Sequence, residues 1–183
     1  MQLPLNLREL NLTECNQLQR VPENIDHMKV LQKVVFKRCS LLTTLPEEFS
    51  DLHFLEHLDL TKCRSLRSLP NSFGGLKHLR HLDLSFCSKL KMLPDSFSQL
   101  LLIKYLTFEK CKILNIGSNI IGKSSCLEHL DFRGCDKLQA LPCNISSQRH
   151  LKWLYIHCRG LKQLPDDLGE LIGLRYLILE CPR

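Results

Sequence analysis

Across 183 residues the sequence contains no CxxC pair. It also has no apolar run near the roughly 18 residues that a membrane helix needs. The first absence argues against a paired-cysteine zinc site and the second against a helical membrane span. The N-terminal stretch MQLPLNLREL lacks the basic and apolar regions of a secretory signal, so a cytosolic or nuclear location and no membrane contact are expected. No nucleophile–base spacing suggests an enzyme, and no cofactor or metal is expected. Large amphipathic rings are scarce, with one Trp and three Tyr, so their positions carry information.

What is present is a repeat. Leucine-like residues recur at Leu7, Leu31, Leu55, Leu79, Ile103, Leu127, Leu151 and Leu174, spaced by 24 residues six times and then by 23. Within the unit, Leu55, Leu58 and Leu60 alternate with polar residues, the period of a short strand with one buried face. Cys63 follows, then Leu66 and Leu69 facing inward. Pro70 suits the first turn of a short helix or 3₁₀ segment, on which Phe73 and Leu76 form a buried side. One such unit cannot bury its own apolar face, but stacked units share a core, and this period with this leucine pattern is the leucine-rich repeat signature. The expected fold is α/β, a right-handed horseshoe solenoid with a parallel sheet on its concave face and short helical or 3₁₀ segments on its convex face. Residues 1–183 read as one domain of about eight repeats of 23 to 24 residues. Neither the leucines at the start (Leu3, Leu5, Leu7, Leu10) nor those at the end (Leu174, Leu177, Leu179) carry a polar cap, so a fragment lacking both caps is expected.

Eight of the ten cysteines, Cys15, Cys39, Cys63, Cys87, Cys111, Cys135, Cys158 and Cys181, hold one repeat position. Stacked rungs place them at about the strand spacing, wider than a disulfide accepts, so they are read as buried free thiols. Phe49, Phe73 and Phe97 recur as convex core residues. Repeat five replaces Leu-Pro by Gly117-Ser118 and adds Gly122, which predicts a mobile stretch near residues 115 to 125. The last two repeats each lose one residue between strand and cysteine, predicting a tighter corner and a change of curvature or twist around residue 156.

Function is expected at the variable strand positions that line the concave face. Two per repeat are predicted to be exposed: Glu9 and Asn11, Lys33 and Val35, His57 and Asp59, His81 and Asp83, Tyr105 and Thr107, His129 and Asp131, Trp153 and Tyr155, Tyr176 and Ile178. This set contains the Trp and all three Tyr, the residue types from which interface hot spots are built. The candidate partner-binding residues are therefore Tyr105, Trp153, Tyr155 and Tyr176, with His57, His81, His129, Asp59, Asp83 and Asp131 beside them. The His-Asp pairs could in principle approach a metal ion, but their recurrence is the ordinary result of repeat duplication. A second feature is a basic rim around the ladder cysteines, with fourteen basic and three acidic residues for a net +11, against +6 for the chain. It includes Arg38, Lys62, Arg64, Lys89, Lys110, Lys112 and Arg159, and suits docking of an acidic surface. Carboxylates cluster instead after the prolines, where they complement helix N-termini. Nucleic acid is disfavoured because the rim lacks interleaved aromatic residues.

The unit LxxLxLxxCxxLxxLPxxxxxLxx, as in Cys63 to Pro70, Cys87 to Pro94 and Cys135 to Pro142, resembles the repeats of plant intracellular immune receptors, the NLR or NBS-LRR disease-resistance proteins. The resemblance covers residues 7 to 181, and it rests on cysteine at the ladder position combined with the Leu-Pro step. It implies a sensor segment in defence signalling. Its partner would be a pathogen effector, a guarded host protein or the receptor's own nucleotide-binding domain. The alternatives are a stand-alone scaffold similar to the animal Ras-group repeats, or an anion or nucleic-acid binder using the basic rim.

Overall fold

The structure, a computed structural model, describes residues 3–22, 24–117, 120–121 and 126–180. Its eight strands are β1 (Glu9–Asn11), β2 (Lys33–Val35), β3 (His57–Asp59), β4 (His81–Asp83), β5 (Tyr105–Thr107), β6 (His129–Asp131), β7 (Trp153–Ile156) and β8 (Tyr176–Leu179). They form one parallel sheet in sequence order. The repeat length sets the register: His57 lies opposite His81, and His81 opposite Tyr105. Rows of equivalent residues therefore run straight across the strands. This is a leucine-rich repeat solenoid, in which each rung buries the apolar face of its neighbours.

Behind the sheet a single core contains the repeating leucines together with Phe49, Phe73 and Phe97, all buried. Phe73 and Phe97 stack at 5.9 Å with planes 8° apart, and a second pair, Phe108 and Phe132, stacks at 5.5 Å and 5°. Short 3₁₀ turns such as Glu47–Asp51, Phe73–Gly75 and Asp95–Gln99 form the opposite side. The prolines lie outside these turns rather than in their first turn. Pro46, Pro94 and Pro165 are extended residues immediately before them, and Pro70 precedes its turn by three, its carbonyl accepting from the Phe73 amide. Glu47 begins its own turn, but its carboxylate accepts hydrogen bonds from the Asn71 and Ser72 amides and the Ser72 hydroxyl of the next repeat. Those bonds, the hydroxyl's above all, hold its pKa below the usual range.

Among the described cysteines, Cys15, Cys39, Cys63, Cys87, Cys111 and Cys135 are free thiols. Beyond filling space, Cys39, Cys63, Cys87, Cys111, Cys135 and Cys158 each donate from sulfur to a backbone carbonyl of the preceding repeat, at 3.0 to 3.2 Å. The residue before the cysteine is the corner. Glu14, Arg38, Lys62, Phe86 and Lys110 adopt left-handed φ of 61° to 64°, and Gly134 adopts 72°. From Glu14 to Gly134, each donates its amide to a carbonyl of the next rung. Repeat seven, one residue shorter, has no left-handed residue before Cys158, and β7 runs one residue further than β6 instead. The loss of one residue thus converts a corner into strand. Most of the variant stretch of repeat five, Ser118 and Gly122 included, lies outside the described residues, as does Cys181; Ile120 and Ile121 are buried.

Candidate functional site: a ring ladder on the open face of the sheet

Alternation places Leu58, Leu82, Leu106, Leu130 and Leu154 in the core and their neighbours on the open face. The first row of that face is a ladder of rings. His57 and His81 stack at 4.1 Å with planes 15° apart, His81 and Tyr105 at 4.3 Å and 1°, and Tyr105 and His129 at 4.3 Å and 16°. The regularity then breaks: His129 and Trp153 are 6.4 Å apart and tilted by 39°, before Trp153 and Tyr176 resume stacking at 5.5 Å and 4°. Six predicted residues on six adjacent strands are thus brought into one strip. At the break, Lys104, Tyr105, Glu128, His129 and Trp153 line a shallow cavity of about 310 Å³.

Mutual covering changes the chemistry of these rings. His57, His81, Tyr105, His129, Trp153 and Tyr155 are half-buried rather than fully open, whereas Tyr176 is exposed. Burial disfavours the imidazolium and lowers the pKa of all three histidines. For His81 the fall reaches about 4, because burial adds to the neighbouring His57 and His129 and outweighs the opposing Asp59. The phenol of Tyr105 is pushed up, first by burial and then by Asp83 and Asp131. At neutral pH the strip is an uncharged aromatic surface. The Nε2 of His129 is buried and has no hydrogen-bond partner among the described residues.

The second row departs from the expected exposure. Asp131 is only 1% exposed, Thr107 2% and Val35 7%. The acids of this row share a local hydrogen bond, although Asp59 and Asp83 stay half-buried. The carboxylates of Asp59, Asp83 and Asp131 turn back to accept the backbone amide two residues on, from Thr61, Ser85 and Arg133 respectively, each at 2.8 Å. These acids close the exit from the strand. Asp131 is further occupied by the Arg133 guanidinium through Nε at 2.9 Å and Nη2 at 2.5 Å. Arg133 also lies 3.6 Å from Glu109 and 5.0 Å over the ring of Tyr155. Sequence reasoning counted Arg133 only as rim charge and missed that it holds Tyr155. Strand alternation gave no signal for it, because Arg133 lies in the turn after β6.

No metal-binding geometry arises from the histidines. An imidazole binds an ion in its ring plane, and face-to-face rings of His57 and His81 have parallel planes that share no such point. Among the described residues no group of three His, Cys, Asp or Glu could hold a metal ion. Nor is any helix among them long and apolar enough to cross a membrane.

The rim residues divide by their role in the corner. Arg38, Lys62 and Lys110 are left-handed corner residues, whereas Arg64, Lys89, Lys112 and Arg159 are exposed beyond it. Arg38 pairs with Glu14, and the Lys62 ammonium lies 5.4 Å from the Phe86 ring centroid. The rim is therefore partly neutralised at its first repeat and interrupted by an aromatic residue at its fourth.

The fold is that of a leucine-rich repeat solenoid. The leucine-rich repeat family model matches residues 54–76 and 78–100, two successive rungs at the centre. No curated protein sequence matches the chain. Among solved structures, it is similar to a leucine-rich repeat protein of Leptospira interrogans, at 23% identity and a TM-score of 0.51, covering 96% of this chain and 55% of that one. It is also similar to the leucine-rich repeat domain of the type III effector XopL, at 21% and 0.53, covering 95% and 75%. The Drosophila Toll–Spätzle complex matches at 19% and 0.66, covering 96% of this chain and 24% of the other. The chain thus spans about half the length of the Leptospira protein and a quarter of the matched Drosophila chain. These likenesses are of fold.

Proposed function

We propose that this domain is the recognition segment of a plant-type intracellular immune receptor, acting in disease resistance by binding a protein through the open face of its sheet. The observation that carries the binding surface is the strip of stacked rings from His57 to Tyr176. Rigid amphipathic rings present large contact area at low entropic cost, and pre-stacking removes most of what remains. The receptor assignment is supported by the cysteine and Leu-Pro pattern of the repeat. The partner is a pathogen effector, a guarded host protein or the receptor's nucleotide-binding domain, met in the cytosol or nucleus. The basic rim assists by attracting an acidic partner surface. The domain binds and does not catalyse, and signalling comes from a nucleotide-binding domain outside residues 1–183.

Two experiments test the two parts separately. Reading the gene beyond these residues checks the receptor assignment: a nucleotide-binding domain in frame supports it, and a stand-alone repeat gene removes it. For the surface, the double variant Trp153→Ala, Tyr155→Ala is expected to weaken a captured protein partner by about 2 kcal/mol or more. Unchanged affinity in the folded variant would place binding elsewhere.

A further inference from the structure

Arg38, Lys62 and Arg64 line a cavity of about 300 Å³ together with Asn16 and Ser40, on the basic rim away from the ring ladder. Two columns build its walls. One is the corner column, in which Arg38 and Lys62 have φ of 64° and 63°. The other is the residue after each ladder cysteine, Asn16, Ser40 and Arg64 in repeats one to three. Two side-chain contacts flank the cavity. At one end the Glu14 carboxylate pairs with the Arg38 guanidinium, and at the other Phe86 occupies the corner beneath the Lys62 ammonium.

Three cations against one carboxylate leave a net +2 around this cavity, with the Ser40 hydroxyl and the Asn16 amide as neutral donors. Like charges held together repel, and a compact anion relieves them. A guanidinium fork fits a tetrahedral oxyanion through two oxygens, and an ammonium adds a point charge. Glu14 already shows the preference of Arg38, since a carboxylate oxygen occupies its Nη1. A nucleic-acid strand would need stacking rings along the rim, and the ring of the corner column, Phe86, is covered by Lys62.

We propose that this cavity is a binding site for a phosphate-class oxyanion, either free inorganic phosphate or a phosphate monoester carried on another molecule. Glu14 acts there as an internal competitor that the ligand displaces from Arg38. The site is independent of protein recognition by the open face, so either can fail without the other.

The test is a titration of the isotope-labelled chain with inorganic phosphate at pH 8 and constant ionic strength, balanced with chloride and followed by backbone amide shifts. Saturable shifts are expected at Arg38, Ser40, Lys62 and Arg64, without matching shifts at Lys89, Lys112 and Arg159. Arg64→Gln is expected to weaken binding about tenfold, the loss of one charge-assisted hydrogen-bonding group. Glu14→Gln is expected to tighten it several-fold, a gain that misfolding cannot produce. In a second arm, a phosphoserine tetrapeptide that binds more tightly than inorganic phosphate identifies the source as a modified protein, and equal affinity identifies free phosphate. Non-saturating shifts along the whole rim, or a Glu14→Gln variant no tighter than the parent, would overturn the proposal.

Discussion

The thiol of Cys87 donates to the backbone carbonyl of Leu60, 3.2 Å away and 27 residues earlier in the chain. Both residues are buried, and the thiol is a second donor to a carbonyl that also accepts the Cys63 amide at 3.1 Å. Equivalent bonds recur from Cys39 to Cys158, and the ladder acts as a seam between rungs.

Cys87→Ala removes that donor and leaves a small void. A loss of about 1–3 kcal/mol is expected in urea denaturation, with Cys87→Ser, which retains a donor, losing less. The seam also predicts alkaline sensitivity. Chiefly through burial, the thiols of Cys39 and Cys111 are pushed from 9.0 up to about 11 and about 12. A folded pKa above the unfolded one gives stabilisation that is complete below pH 9 and lost as pH rises through 11 to 12. The urea midpoint is therefore expected to fall across that window; a flat midpoint would contradict the buried thiols.

Acid acts on the other face. His81 titrates near 4 in the folded chain against 6.5 in the unfolded one, so its contribution to stability is present above pH 6.5 and lost as pH falls towards 4. His57 and His129 shift in the same direction. His81→Phe is expected to reduce the drop in melting temperature between pH 7 and pH 4. Imidazole resonances should also show His81 still neutral at pH 5.5, and titration near 6.5 would mean that the rings are not stacked.

Gln148 is 1% exposed, and neither its amide nitrogen nor its oxygen has a hydrogen-bond partner among the described residues. The equivalent positions hold Leu52, Leu76 and Leu100, all buried. Gln148→Leu is expected to stabilise the domain by about 1–3 kcal/mol, by replacing an unsatisfied polar group with an apolar one. No gain in the urea midpoint would show that the amide is satisfied in solution.

Much of this was legible in the sequence. The spacing of 24 residues, and 23 at the last step, placed every strand, assigned Leu58 to the core and His57 to the open face, and put the rings from His57 to Tyr176 in one row. Six ladder cysteines, Cys39 to Cys158, were recognisable as buried thiols, whereas Cys15 in the first rung is only half-buried; none was recognisable as a donor, because spacing does not reveal where a sulfur's hydrogen points. Asp131 was misplaced as an exposed residue. Alternation assigns it to the open face correctly, yet its carboxylate folds back to its own turn and to Arg133, and burial follows from that local competition.

The sequence by itself determined which residues share a row, since a repeat of 24 residues, 23 at the last step, aligns equivalent positions in one parallel register. Only the tertiary structure decided what those rows do. His81 is neutral because rings from β3 and β5 pack against both its faces, and Arg38 turns towards Glu14 because a left-handed corner brings the two together. Periodicity sets an address along the solenoid, whereas rotamers, desolvation and charge pairing arise between rungs, where residues 24 apart in sequence meet.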